Sequence, residues 1–432
     1  MDATQQKQRG LAAWWQRTPL YLRIVGAMVL GVVLGVVLGP QTAALAIPSK
    51  LVLRLLGALA PALILLAIVK ALIEAHFEPG TAGKLIRLLV LNTLVAISVG
   101  LLVANLLKPG SWSEGLKPHG NSESAAHASN RPDPLQQFLD NVPKSMLGPL
   151  TDGGSVMGVI FWALAFGIAL RRTAKRPVHN VKDLIDLGLE TMVVILHWII
   201  EVVPFAVFGL VASIVGTQGF APFRALGAFI VAVLVALLVQ ASYYLLRVRF
   251  GSWVRPLDLL RACRDAMVMA FSTGSSTVTM PLTYQSLHER VGLRERSASL
   301  GSLVGANFNN DGTALYEAMA ALFVSQLLAA QGIGTPLGLT AQVVVVLTSV
   351  VASVGAAGIP EAGLVTMTMV FQAVHLPTEY IALLLPVDWF LDRCRTVINV
   401  MGDMNVSCLL DGREREEESE RLRAGLRERE RE

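Results

Sequence analysis

The segment Val387–Asp403, VDWFLDRCRTVINVMGD, carries side chains of both charges directly after a strongly apolar run. On a helical wheel, one sector about 100° wide collects Asp388, Asp392, Arg395, Thr396, Asn399 and Asp403. Arginine presents a planar fork that suits a carboxylate, and an aspartate balances an ammonium group. Asparagine and aspartate oxygens bind hard cations. This face is therefore predicted to bind a small molecule with acidic and amino groups, together with a cation.

A second polar segment, NNDGTALYE at residues 309–317, adds two carboxylates on the preceding helix. Asp311 is positioned to help bind a cation, and Glu317 is suited to take up and release a proton. One alternative is that Glu317 is a buried acid held by a hydrogen bond. Another is that the charges on the last helix form structural salt bridges between helices. Ionisable residues within a membrane are usually functional, which favours a site.

These polar residues stand in a chain with the composition of a membrane protein. Of its 432 residues, 53% are hydrophobic and only 16% are charged, and the mean hydropathy is +0.56. Several apolar runs reach the roughly 20 residues that a helix needs to cross a bilayer. The sequence predicts an all-α polytopic membrane protein. Its charged residues must face a protein interior or a watery cavity, because a charge at the bilayer centre is costly.

The sequence argues against several other kinds of chemistry. Cys263, Cys394 and Cys408 have the spacing of neither a disulfide framework nor a zinc site. P-loop, dinucleotide-binding and zinc-protease motifs do not occur, which argues against ATP-driven transport by this chain alone. No organic cofactor, no metal other than sodium and no nucleic-acid partner is expected.

Loop charge predicts the orientation of the chain. With the basic clusters in the cytoplasm, the protein has eight spans in the inner (plasma) membrane and both termini inside. The first span is interpreted as retained rather than as a cleaved signal peptide. The predicted divisions are a cytoplasmic N-terminus at 1–20, spans 1 to 6 at 21–254 with an outside loop at 109–135, a transport core at 255–410 and a charged cytoplasmic tail at 411–432.

Two short segments interrupt the apolar pattern in the second half. They are AFSTGSSTVTMP at 270–281 and SVGAAGIPEAG at 353–363, and each is followed by a helix with an asparagine and an aspartate. Irregular backbone is tolerated at membrane depth only where it is buried or lines a cavity. The matched pair predicts re-entrant segments of an internal repeat, with the substrate site at their junction. The alternative is that the small residues only allow close helix packing.

At these motifs the chain resembles the dicarboxylate/amino acid:cation symporter family, which includes the excitatory amino acid (glutamate) transporters and their prokaryotic relatives. The similarity lies in NNDGTALYEA at 309–318, AGIPEAGLVT at 357–366 and the last helix. The first half agrees in span pattern more than in motif. The resemblance implies eight transmembrane helices, two re-entrant helical hairpins, inverted repeats, a homotrimer and an elevator-type glutamate transporter fold.

The resemblance also implies a set of site residues, carried over position by position. Substrate-binding residues would be Ser275, Ser276, Thr313, Ile359, Gly363, Asp392, Arg395, Thr396 and Asn399. Cation ligands would be Gly305, Asn307, Asn309, Asp311, Ser353, Val354, Ala356, Asn399 and Asp403, with Asn92 and Thr93 from the third span. Glu317 would couple a proton. Arg393 would supply a supporting charge in place of an arginine that some relatives carry at the position of Gly274.

Three positions depart from the family pattern. Asn310 stands where the family has methionine, Asn307 where it has threonine, and the third span lacks a tyrosine near Asn92. These changes leave open whether sodium, protons or both drive transport.

The sequence therefore predicts a secondary active symporter, not an enzyme, that imports L-glutamate or L-aspartate by an elevator mechanism. Arg395 favours an acidic substrate and Asp392 an amino acid; a C4-dicarboxylate is the alternative. An ion channel is disfavoured because the polar stripe mixes both signs of charge. An intramembrane aspartyl protease built on Asp311 and Asp403 is disfavoured because Val400 replaces the first glycine of its motif.

Overall fold

The computed structural model describes residues 18–74, 82–113, 165, 169, 180–333, 335–355 and 362–414, and every regular element within them is helical. The first half contains α1 (Leu20–Leu38), α2 (Ile47–Glu74), α3 (Ala82–Leu107), α4 (Val181–Gln218) and α5 (Ala221–Gly251). The second half contains α6 (Pro256–Ala262), α7 (Arg264–Thr273), α8 (Ser276–Gln285), α9 (Glu295–Ser299), α10 (Gly305–Phe308), α11 (Asp311–Ala330), α12 (Leu339–Gly355), α13 (Ala362–Ala373) and α14 (Leu385–Asp411).

Five helical stretches in the described residues are long and apolar enough to cross a membrane. They are Leu20–Leu59, Gly83–Trp112, Val181–Thr217, Pro222–Gly251 and Glu295–Ala330. Many of their outward side chains are large and apolar, such as Val37, Leu106 and Leu238, which are 71%, 71% and 67% exposed. Such a surface suits contact with lipid rather than water. The predicted multi-pass membrane protein is confirmed, whereas the count of eight spans and the location of the termini stay predictions.

The helices pack in two neighbourhoods. α1 and α2 each pack against α4, and Arg23 of α1 pairs with Glu201 of α4 at 2.5 Å. α14 packs against α5, α7 and α11, and α11 packs against α3. All residues of α11 from Asp311 to Leu328 are buried. A polar side chain on this helix must therefore find its partner inside the protein.

The first predicted re-entrant segment is a helix–turn–helix. α7 ends at Gly274, whose φ of 64° lies in the left-handed region that favours glycine. Ser275 then caps α8, because its Oγ accepts a hydrogen bond from the Val278 amide at 3.1 Å. α7 and α8 pack against each other and against α14. The small residues of this segment thus form a turn and a cap beside the charged helix.

The second predicted re-entrant segment is described only on its two sides. α12 ends at Gly355 and α13 begins at Ala362, so residues 356–361 of the expected tip lie outside the described residues. α12 and α13 pack together, and α13 also contacts α11. Most of the expected N-terminus, outside loop and tail lie outside the described residues too. The domain divisions, the inverted repeat and the elevator-type fold stay predictions.

Candidate functional site

The centre of the candidate site is Arg395, a fully buried arginine on α14. Its Nη2 atom lies 2.8 Å from Asp392 Oδ1 and 3.1 Å from Asp388 Oδ1. Its Cζ atom lies 4.0 Å from the ring centroid of Tyr316 on α11. A buried charge needs such partners, because an isolated ionised group in a protein interior is very costly. All six polar residues that the helical wheel groups together are buried, so the predicted face points into the protein.

The guanidinium of Arg395 retains hydrogen-bonding capacity. Among the described residues, its Nε and Nη1 atoms are buried without a hydrogen-bond partner. Gly363, near the start of α13, closes one side of the group, since a Cβ there would lie 2.9 Å from Nη1. Buried donors without acceptors are destabilising. The arrangement is therefore suited to an added acceptor such as a ligand carboxylate.

Asn399, one turn after Arg395, joins α14 to the start of α11. Its Oδ1 accepts a hydrogen bond from the Gly312 amide at 2.8 Å. Its Nδ2 lies 3.4 Å from Asn310 Oδ1 and 3.4 Å from Thr313 Oγ1. Two predicted substrate-binding residues, Thr313 and Asn399, are thus in direct contact.

The other predicted substrate-binding residues lie on the same helix and on the hairpins. The Thr396 hydroxyl donates to the Asp392 carbonyl at 2.8 Å, within α14. The Ser276 hydroxyl donates to the Ala306 carbonyl at 3.1 Å, which links the first hairpin to α10. Ile359 lies outside the described residues.

A second polar cluster surrounds Asp403. Asn309 Nδ2 donates to Asp403 Oδ1 at 3.2 Å, and Gly305 packs directly against the Asp403 carboxylate. Among the described residues, Asn309 Oδ1 is buried without a hydrogen-bond partner. An acceptor oxygen of this kind beside a buried carboxylate suits a hard cation such as sodium. These residues fit the predicted cation.

The resemblance assigns a further cation to four backbone carbonyl groups, those of Asn307, Ser353, Val354 and Ala356, and Asn310 bridges two of them. Its Nδ2 donates to the Ser353 carbonyl at 3.0 Å and lies 3.4 Å from the Asn307 carbonyl. Val354 belongs to α12, and Ala356 lies outside the described residues. Two of the four expected carbonyls therefore already accept a hydrogen bond from an amide.

A third cluster joins α11 to α3 and α5. Asp311 Oδ1 accepts from the Thr93 hydroxyl at 2.7 Å, and Asp311 Oδ2 accepts from the Tyr244 hydroxyl. Asn92, next to Thr93, accepts through Oδ1 from Arg247 Nη1. The third-span residues that the resemblance indicated thus lie beside Asp311, and a tyrosine and an arginine of α5 complete the cluster.

Glu317 is buried at the contact between α11 and α13. The Thr366 hydroxyl donates to Glu317 Oε1, and among the described residues Oε2 has no hydrogen-bond partner. The carboxyl also interacts electrostatically with Arg395. A fully buried acid with one such unpaired oxygen is equipped to hold a proton.

Arg393 packs on its own helix. Its Nη1 donates to the Trp389 carbonyl at 2.5 Å, and its Cζ lies 5.7 Å from the Trp389 ring centroid. The side chain is half-buried. A role for Arg393 as a supporting charge stays a prediction.

Sequence reasoning missed several members of these clusters. Tyr316 lies within the NNDGTALYE motif, so its position was available from the sequence. Thr366 is the last residue of the AGIPEAGLVT motif at 357–366, whereas Tyr244 and Arg247 come from a helix without a recognised motif. For the two α5 residues, the only signal is a pair of polar side chains one helical turn apart at the end of an apolar run.

Comparisons with known proteins identify the family of the chain. The model of the sodium:dicarboxylate symporter family matches residues 20–413. Human excitatory amino acid transporter 2 is 38% identical over 256 residues, which cover 58% of this chain and 43% of that protein. Human neutral amino acid transporter B(0) is 29% identical over 418 residues, which cover 88% of this chain and 74% of that protein. Excitatory amino acid transporter 4 of Mus musculus is 29% identical over 475 aligned positions, which cover 90% of this chain and 82% of that protein. The chain spans about half the length of excitatory amino acid transporters 2 and 3 that it matches.

Proposed function

Because the chain belongs to the sodium:dicarboxylate symporter family, we propose that it is a secondary active transporter that imports L-aspartate or L-glutamate together with a cation. The family and the named relatives are transporters rather than enzymes. The observation that carries the proposal is the buried Arg395, two of whose donor atoms have no hydrogen-bond partner among the described residues.

In the proposed complex, Arg395 pairs with the side-chain carboxylate of the substrate. A guanidinium matches a carboxylate in shape and charge, and such charge-assisted bonds are stronger than neutral ones. Asp392 takes the ammonium group. The two roles are compatible because Asp392 and Arg395 lie 2.8 Å apart, so a zwitterion can pair with both at once.

The two hairpins are proposed to close this site. Ser275 and Ser276 stand at the turn of the first hairpin, and Gly363 lies against the guanidinium from the second. Backbone and hydroxyl groups at these positions, with Ile359, are proposed to hold the α-carboxylate. Thr313, Thr396 and Asn399 are proposed to assist along α11 and α14.

Cation coupling is proposed to act through Asp403 and Asn399. A sodium ion beside Asp403, Asn309 and Gly305 would neutralise a buried carboxylate on the helix that carries Arg395. It would thereby favour the arrangement in which α11 and α14 keep their contacts. A ligand that favours one arrangement of a protein raises the affinity for a second ligand that binds the same arrangement, so bound sodium would raise the affinity for the substrate. Glu317 is proposed to bind a proton that is transported together with the substrate.

The packing of the helices supports the proposed movement. α7, α8, α12 and α13 contact α11 or α14, whereas α1 and α2 pack chiefly against α4; α2 also contacts α12 and α13. We propose that the first set moves through the membrane as an elevator against the second set, in a homotrimer with cytoplasmic termini in the inner membrane.

A C4-dicarboxylate is the second candidate substrate. The observation that favours it is the existing pair between Asp392 and Arg395. This pairing neutralises the negative charge of Asp392, which an ammonium group would need as its partner. A substrate without an amino group would leave this pair intact.

Uptake into proteoliposomes tests the proposal. Radiolabelled L-aspartate is supplied with a sodium gradient and with a proton gradient, each imposed separately, and unlabelled L-glutamate, succinate and L-serine are added as competitors. We expect accumulation with at least one gradient, and competition by L-glutamate but not by L-serine. Strong competition by succinate alone would favour the dicarboxylate. Absence of accumulation under both gradients would refute the proposal.

A further inference from the structure

The cluster of Asn92, Thr93 and Asp311 includes a positive charge of its own. Arg247 of α5 donates from Nη1 to Asn92 Oδ1, and Tyr244, one turn earlier on the same helix, donates to Asp311 Oδ2. A guanidinium remains charged at any physiological pH. The cluster therefore holds a permanent cation that is tethered to the protein.

The residues present do not fit a further transported cation. The one acceptor oxygen of Asn92 already accepts from the positively charged Arg247, and its other polar side-chain atom is an amide donor that repels cations. Each carboxylate oxygen of Asp311 already accepts a hydrogen bond, one from Thr93 and one from Tyr244. An ion would have to share these oxygens with the two donors and bind in a cluster that already contains the positive charge of Arg247.

The packing around the cluster leaves little room for an added ion. Tyr244 is only 1% exposed. Gly402 of α14 lies directly against the cluster, since a Cβ there would be 3.1 Å from the Tyr244 hydroxyl oxygen and 3.2 Å from Asp311 Oδ2. A close-packed interior of this kind opens only at a cost.

We propose that Arg247 is a tethered counter-cation that replaces one coupled cation, so that the chain moves its substrate with one cation fewer than an open cluster would require. This inference rests on the proposed cation-coupled transport and assigns part of its stoichiometry. A buried carboxylate such as Asp311 must be neutralised inside the membrane, because an uncompensated charge there is costly. A fixed guanidinium supplies that charge without taking an ion from solution.

A second, independent observation points the same way. Asn310 donates to the Ser353 carbonyl at 3.0 Å and lies 3.4 Å from the Asn307 carbonyl. These carbonyls would otherwise be available as cation ligands. By contrast, Asn309 Oδ1 beside Asp403 is a buried acceptor without a partner among the described residues. Of these clusters, the one around Asp403 therefore best suits the sodium that is already proposed to bind there.

The test measures sodium binding on the purified full-length protein and on Arg247→Met, which removes the charge but keeps an unbranched side chain. Melting temperature is followed against sodium chloride, with choline chloride holding the ionic strength constant. Each additional bound ion steepens this dependence. If the wild type binds one sodium ion and Arg247→Met binds two, the slope of stability against the logarithm of sodium concentration is expected to be about twofold larger in Arg247→Met.

Two matched variants serve as controls. Arg247→Lys keeps a positive charge at the cluster and is expected to retain the wild-type slope. Arg249→Met changes an exposed arginine two residues further along α5 and is also expected to retain it. Equal slopes for the wild type and Arg247→Met overturn the inference.

If Arg247→Met does not fold, the double variant Arg247→Met/Asp311→Asn decides the question, because it removes one charge of each sign. Folding of the double variant with the wild-type slope supports charge compensation, and failure of both variants to fold overturns it. In proteoliposomes, the ratio of sodium to substrate obtained from reversal potentials is expected to rise by about one in Arg247→Met. Absence of uptake by the wild type contradicts the transport proposal but leaves the sodium-binding slopes interpretable, so the two failures are distinguishable.

Discussion

Replacing Arg395 by lysine separates substrate recognition from folding. Arg395→Ala would leave Asp388 and Asp392 buried without a counter-charge, and breaking a buried ion pair in this way costs about 3–5 kcal/mol. Lysine keeps a positive charge between the two carboxylates. Its ammonium group is a point charge without the planar fork of arginine. It can therefore neutralise the aspartates but cannot also present a second nitrogen to a substrate.

The structure sets the expected size of the effect. Among the described residues, Nε and Nη1 of Arg395 are donors without a partner, and a substrate carboxylate would accept from at least one of them. A hydrogen bond to a charged group contributes about 1.5–3 kcal/mol, which is about ten- to 150-fold in a dissociation constant. We expect Arg395→Lys to bind L-aspartate more weakly by this factor, while its melting temperature stays closer to the wild type than that of Arg395→Ala.

Isothermal titration calorimetry with L-aspartate on the purified variants measures the change directly. Arg393→Lys is the matched control, because Arg393 is a neighbouring arginine that contacts Trp389 on its own helix. Its affinity is expected to stay within about threefold of the wild type, which is about 0.7 kcal/mol. An Arg395→Lys protein that folds and binds L-aspartate within the same limit would refute the proposed role of the guanidinium.

Three further changes test other parts of the site. Asp392→Asn removes the proposed ammonium partner, so L-aspartate uptake is expected to be lost; succinate uptake that persists would identify the dicarboxylate as the true substrate. Glu317→Gln cannot bind a proton, so uptake driven by an imposed proton gradient is expected to fall to background, and an unchanged rate would contradict proton coupling there. Gly402→Ala would press a Cβ against Asn309 Nδ2 and place it 3.1 Å from the Tyr244 hydroxyl oxygen, and this crowding is expected to cost about 1–3 kcal/mol of stability. Its melting temperature is compared with that of Gly227→Ala, where a Cβ would meet no atom within 4 Å, and equal melting temperatures would contradict the tight packing.

The binding face of α14 was predictable from the sequence because helical periodicity alone decides which side chains share a face. The structure buries all six residues of that face. The first hairpin was predictable for a similar reason, since Gly274 and Ser275 are local signals for a turn and a cap. Both features depend on residues that are near one another in the chain.

The partners of that face were not predictable, because they depend on how distant helices pack. Tyr244 and Arg247 reach Asp311 and Asn92 only because α5 lies beside α3 and α11. The sequence shows that Asn310 departs from the family's methionine, but it does not show that the amide bridges two carbonyls. Such contacts join residues far apart in sequence, and no local pattern encodes them.

The polarity of α14 has a consequence for how the protein is made. This helix contains Asp388, Asp392, Arg393, Arg395, Asp403 and Asp411, and it is not among the described stretches that are apolar enough to span a membrane. Each aspartate or arginine near the centre of a helix adds about 2.5–3.5 kcal/mol to the free energy of insertion by the translocon. α14 is therefore not expected to leave the translocon for lipid unaided. It follows all the other described helices in synthesis, so α5 and α11 are already available to receive it with Tyr244 and Tyr316. Because α14 is synthesised after α5 and α11, its polar partners are already present when it enters the membrane.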